Sequence, residues 1–277
     1  MEDLRTKVME IGALPAISKA ASKLLVLPLD TDRGEEELLR IIESDPFITA
    51  RVIGMANSPF FSTGRKVSTV DEAAMVLGLS IVKSVAVAIA LIGSIKIRES
   101  RVFSLNDLWL HSFSMAIGMR ALSNMLPREK RPAEGMLFLS GLLHDMGYLA
   151  IAYLYPKQFE AFIRHVESQP DVPVTVIEME EFRIGHAEIG GILGRAWHLP
   201  EEVVSVIEGH HAAQADKGNI PLILARIIES ITGETAMHRP PASMVAPEEL
   251  EALGLGTENT EEIRELLEMQ WAMSFTV

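Results

Sequence analysis

Apolar residues recur along this chain at three- and four-residue spacing, and no sustained two-residue alternation appears. Ile17, Ala20, Ala21, Leu24 and Leu25 form a first helical stripe, ended by Leu27-Pro-Leu29. Glu35 to Ile42 predicts a second helix, stopped at Asp45-Pro46. Pro46 then suits the first turn of a third, capped by Ser44 or Asp45 and running through Ile48, Val52, Ile53 and Met55. Asn57-Ser-Pro59 breaks it. Ser68 or Thr69 precedes Asp71-Glu72, acidic residues that suit a helix start. Gly78 separates that helix from another over 80–95.

Longer elements follow. The pattern predicts helices over 104–126 and 132–156, then shorter ones over 157–168, 174–181, 186–197, 201–210 and 220–233. An amphipathic helix over 260–273 follows a loop containing Arg239-Pro-Pro-Ala242. The fold class is all-α. The polar stretch around 96–106 divides an N-terminal helical half, 1–95, from a second half over 104–235, with 236–277 as loop and acidic terminal helix.

Composition narrows the chemistry. With 48% hydrophobic residues over 277 positions, the chain can build substantial cores. It has no cysteine, so disulfides, thiolate zinc sites and a cysteine nucleophile are excluded. Any metal must be held by His, Asp, Glu, backbone oxygen or water, donors suited to Fe, Mn, Mg, Zn or Ni. A net charge of −13 argues against general nucleic-acid affinity. The apolar run Val85–Ile92 is too short to span a bilayer. With no secretory signal pattern at the N-terminus, a cytoplasmic location without membrane partners is expected. Eight glutamates after Ala246, including Glu249, face only Arg264 in sequence.

All eight histidines fall after the first hundred residues. His144-Asp145 follows a strongly apolar run, placing an imidazole and a carboxylate side by side. Neighbours on a helix diverge by about 100°, so both can serve one ion only if other ligands arrive from elsewhere. His111, His186 and the pair His210-His211 are candidates. Each also has an ordinary reading: His111 as a core histidine, His186 as a helix-start residue, and His210-His211 closing a helix C-terminus. His165, His198 and His238 read as surface or structural residues.

The combined pattern resembles the HD superfamily of metal-dependent phosphohydrolases and, more specifically, its HDOD subfamily. The resemblance runs through Leu14-Pro15, Ser44-Asp-Pro46, Val52–Ser58 and Ala73–Gly78. It continues through Leu108-Trp-Leu-His111, Gly141–Gly147, Gly185–Gly190, Trp197-His-Leu-Pro200 and His210-His211. It implies an HD-like helical bundle with an N-terminal helical subdomain. It further implies metal ligation by His111, His144, Asp145 and Glu229, with His186, His210 and His211 for a second metal, as in the HD-GYP phosphodiesterases. Two positions depart from the hydrolase pattern. The late aspartate is Glu229, and the lysine that commonly follows His-Asp-x-Gly is Tyr148. Neutral tyrosine cannot offer a phosphate the charge of a lysine.

Two functions follow from the resemblance. One is a regulatory signal-transduction module, not itself an enzyme, acting through a signalling-protein partner or a small phosphorylated ligand. The other is a metal-dependent phosphohydrolase of nucleotides or cyclic dinucleotides, with Asp145 as the candidate catalytic residue.

Overall fold

A computed structural model of the chain describes residues 16–61, 64–97, 103–212, 214–232, 247–256 and 258–265. All regular structure among these residues is helical, as the periodicity predicts. The chain divides into two compact units, which split between Ser94 and Ile95.

The first unit contains α1 (Lys19–Val26), α2 (Asp32–Glu43), α3 (Pro46–Ala56), α4 (Val70–Leu77) and α5 (Leu79–Ile92). Side chains begin most of them. Ser18, Thr31, Asp45 and Thr69 each accept a backbone N–H from the first turn of the helix they precede. Gly78, at φ 83°, makes the sharp change of direction from α4 into α5, a left-handed conformation that favours glycine. Val85 to Leu91 are all buried, so α5 is apolar around its circumference and forms the centre of this unit. Lys83 reaches from it to the C-terminal end of α1, donating to the Leu27 carbonyl at 2.6 Å. Asn57 clamps the loop after α3. Its amide donates to Val67 O at 2.8 Å, and its carbonyl accepts from Val67 N at 2.8 Å.

The second unit contains α6 (Leu105–Met125), α7 (Glu134–Leu143), α8 (Met146–Leu154), α9 (Pro156–Ser168) and α10 (Val174–Glu181). It continues with α11 (His186–Ala196), α12 (Glu201–Gly209), α13 (Ile220–Thr232) and α14 (Pro247–Leu253). Helices α7, α8, α11, α12 and α13 pack with α6 around a common core. The continuous helix expected over 132–156 is interrupted. Asp145 has φ −97° and ψ 11°, outside the helical well, so α7 ends at Leu143 and α8 begins at Met146. Glu134–Leu154 together is long and apolar enough to cross a bilayer, but 89% of its most apolar window is buried within the protein.

Arg264 is not the sole cation that meets the acidic C-terminal segment. Glu249 on α14 is 5% exposed and lies against Arg226 of α13, itself fully buried, with Nε–Oε1 3.2 Å and Nη2–Oε2 3.2 Å. Residues 258–265 are helical. The remainder of the expected terminal helix, the Pro-rich loop, His238 and Leu14-Pro15 lie outside the described residues.

Candidate metal centre

Five separate places in the second unit supply the predicted histidines and carboxylates. His111 comes from the second turn of α6, and His144 and Asp145 from the break between α7 and α8. His186 is the first residue of α11, His210 caps the C-terminus of α12 with His211 beyond it, and Glu229 projects from α13. The break explains how two neighbours in sequence meet at one point. Asp145 leaves helical geometry, and its carboxylate comes within 3.2 Å of His144 Nε2.

Local backbone chemistry aims the rings. The last carbonyls of a helix lack intrahelical partners. His144 Nδ1 sits 2.9 Å from Gly141 O at the end of α7, and His210 Nδ1 sits 2.8 Å from Ile207 O at the end of α12. With Nδ1–H donating to a carbonyl in each case, Nε2 is turned inward. His186 starts its helix and has no such carbonyl. Its Nδ1 instead lies 2.6 Å from Oε1 of Glu178, whose Oε2 accepts the His186 backbone N–H at 3.1 Å.

Asp145 stands between two groups. Its Oδ2 is 3.2 Å from His144 Nε2 and 3.7 Å from His111 Nε2. Its Oδ1 is 3.2 Å from His186 Nε2 and 3.5 Å from His210 Nε2. Within each group the rings are close: His111 and His144 Nε2 atoms are 3.1 Å apart, and His186 and His210 Nε2 atoms 3.0 Å apart. Glu229 joins the first group, with Oε2 3.8 Å from His111 Nε2 and 3.7 Å from His144 Nε2. The extra methylene relative to aspartate therefore still delivers the carboxylate. His211 joins the second group, its ring centroid 4.9 Å from that of His186.

The electrostatics divide the imidazoles. Burial disfavours a charged ring at His144, His186, His210 and His211. At His144 the Asp145 and Glu229 carboxylates outweigh burial and raise the pKa. At His186 burial is likewise outweighed by Glu178 and Asp145, which push it up to about 10. At His210 burial prevails and lowers the pKa, and at His211 it lowers it well below the ordinary value. His210 and His211 are thereby kept neutral, the form that donates a nitrogen lone pair to a metal.

The donor set fits a divalent ion. His111, His144 and Glu229 present ligand atoms within 4.8 Å of one another, and so do His186, His210 and His211. Both ring nitrogens of His211 are shut off from solvent without a hydrogen-bond partner among the described residues, an arrangement that costs free energy unless something else satisfies it. His111, His144, Asp145, His186, His210 and Glu229 are each at most 1% exposed.

Glu178 was missed by sequence reasoning. It sits in a run of acidic residues, Glu178-Met-Glu-Glu181. Yet Val174, Ile177 and Glu178 share the buried face of α10 at positions i, i+3 and i+4, and a carboxylate on that stripe was the available signal. Tyr148 is fully buried and stacked on the His186 ring, with centroids 4.1 Å apart and planes 18° apart. His165 pairs with Glu181 at 2.9 Å, and His198 is exposed, both away from this cluster.

The HDOD domain family matches residues 14–213. An uncharacterized protein of Treponema pallidum is 23% identical over 258 residues; the match takes in 88% of this chain, which spans about half of that relative, 49%. A crystal structure from Marinobacter aquaeolei VT8, provisionally assigned to signal transduction, is 26% identical with a TM-score of 0.78. It covers 99% of this chain, and the chain covers 61% of it. An HDOD domain protein of unknown function from Geobacter sulfurreducens, 20% identical, gives a TM-score of 0.71 and covers 97% of this chain and 99% of its own.

Proposed function

The chain belongs to the HDOD domain family, and from that premise we propose that it is a regulatory signal-transduction module whose histidine–carboxylate cluster binds divalent metal. Its output on this reading is the binding of a signalling protein or a small phosphorylated ligand. The observation that carries the metal is the position of Asp145, whose two carboxylate oxygens face separate histidine pairs at 3.2–3.7 Å. Imidazole and carboxylate donors without thiolate suit Fe, Mn, Zn or Ni. The structural likeness to the M. aquaeolei protein, provisionally assigned to signal transduction, supports the regulatory half.

One substitution favours regulation over turnover. A bound divalent ion supplies a water of lowered pKa and an electrophile for a phosphoryl oxygen. The position where a lysine would meet phosphate holds Tyr148, packed on His186. The second reading, a phosphohydrolase of nucleotides or cyclic dinucleotides, is favoured by one feature: Asp145 stands between two histidine pairs, where it would help hold an ion on either side.

Elemental analysis of the purified protein tests the proposal. Bound metal that is lost in Asp145→Ala and His144→Ala is expected, and wild-type protein that takes up none after exposure to Mn2+, Fe2+ or Zn2+ overturns it. Metal-dependent release of phosphate or cleavage of a cyclic dinucleotide, abolished in Asp145→Ala, would establish the second reading instead.

A further inference from the structure

Three imidazoles of the cluster are held through Nδ1, and they are not held alike. His144 and His210 lean on main-chain carbonyls at helix C-termini, Gly141 O and Ile207 O. Those acceptors are part of the backbone and persist through any side-chain substitution. His186 stands at a helix N-terminus, where the unsatisfied groups are donors. It must therefore import an acceptor, and Glu178 is that acceptor.

Glu178 is fully buried and belongs to a small network of its own. Its Oε1 meets His186 Nδ1 at 2.6 Å, and its Oε2 takes the His186 backbone N–H at 3.1 Å, capping α11 where Gly185 has no side chain to do so. Tyr148 lies flat over the face of the same ring. Burial, then the charge and hydrogen bonding of Glu178, raise the Tyr148 phenol well above its ordinary pKa, so it remains a neutral donor. The His186 ring is thus fixed at its edge by a carboxylate and over its face by an aromatic.

Resting on the metal-binding reading above, we infer that Glu178 and Tyr148 are the positioning pair of the His186–His210–His211 half of the site. They hold His186 Nε2 toward Asp145 Oδ1 and His210, and neither is itself a ligand. This also assigns a role to the residue that departs from the hydrolase pattern. Tyr148 lays an aromatic face on a neighbouring ligand, where a lysine would contribute charge to a substrate. Partners of this kind set the orientation and basicity of a metal-bound imidazole.

The two halves of the cluster make the inference testable, because only one depends on Glu178. Chelator-stripped wild type, Glu178→Ala, Glu178→Gln and Tyr148→Phe are titrated with Co2+, following ion number and the visible d–d spectrum. Wild type is expected to take two ions. Both Glu178 variants should keep the ion of the His111–His144–Glu229 half and bind the other about 10- to 100-fold more weakly. Tyr148→Phe, which retains the stacked ring, should weaken the same ion by less. Two ions bound to folded Glu178→Ala and Tyr148→Phe with wild-type affinities and spectra overturn the positioning role while leaving metal binding intact. Equal weakening of both ions also overturns it, since it marks a general structural defect. Wild type that binds no Co2+ removes the metal reading and this inference together. Should Glu178→Ala fail to fold, Glu178→Gln and Tyr148→Phe decide the matter by the same half-selective criterion.

Discussion

Gly147 lies against the backbone carbonyl of His186, so close that a Cβ built at Gly147 would fall 1.9 Å from that oxygen and 3.0 Å from Gly190 N. The contact is with main chain, which cannot rotate away. It lets α8 and α11 approach closely enough for Asp145 and His186 to meet. Gly147→Ala must push α11 outward, and overpacking of this kind costs about 1–3 kcal/mol or more. Thermal unfolding should show that loss even in metal-free protein, together with weaker metal binding. An alanine variant with wild-type melting temperature would contradict the close approach.

Metal should stabilise the fold. An ion that binds the folded chain alone adds about 2.7 kcal/mol when present at a hundred times its dissociation constant. The melting temperature is therefore expected to rise with added Mn2+ or Zn2+ and to fall on chelation. Asp145→Asn, which removes the charge shared by both histidine pairs, should flatten that response. The measurement is differential scanning fluorimetry of both proteins with and without metal.

Arg226 and Glu249 form a buried pair between α13 and α14. Removing one partner leaves the other charge buried, at a cost of about 3–5 kcal/mol. Arg226→Ala should lose stability on that scale in urea unfolding. The double replacement Arg226→Met with Glu249→Leu should recover most of it, because an apolar pair needs no charge compensation. Additive losses in the double variant would count against the pairing.

Glu72 gives the first unit a defined acid sensitivity. The Ser68 backbone N–H at 2.8 Å and its hydroxyl at 3.0 Å donate to this carboxylate, and the backbone bond first, then the hydroxyl, hold its pKa below the ordinary glutamate value. The unfolded chain binds this proton more readily than the folded one. The contribution is therefore present above the unfolded pKa and lost as pH falls through the folded pKa. Wild type should be more stable than Glu72→Gln at neutral pH, and the gap should close in acid. A pH-independent gap in denaturant titrations would show that the carboxylate charge is not responsible.

Much of this molecule was determined locally and is readable from the chain. Helix positions follow from three- and four-residue apolar spacing, and their starts follow from residues such as Asp45-Pro46, Thr69 and Ser104 that satisfy the first free N–H groups. The candidates His111, His144, Asp145, His186, His210 and His211 were also nameable from residue type and order, and Glu229 through the resemblance to the HD superfamily. What only the tertiary structure decided is relative position across long stretches of chain. The 132–156 pattern gives no sign of the break at Asp145, since the flanking residues remain apolar at helical spacing while one residue leaves the helical well. Glu178 looked like one acid among several until α10 turned it inward onto His186. Glu249 had only Arg264 opposite it in the late sequence until Arg226 met it. For Glu178 and Glu249 the deciding partner lies 8 and 23 residues away, and side-chain periodicity carries no information about which distant group will be there.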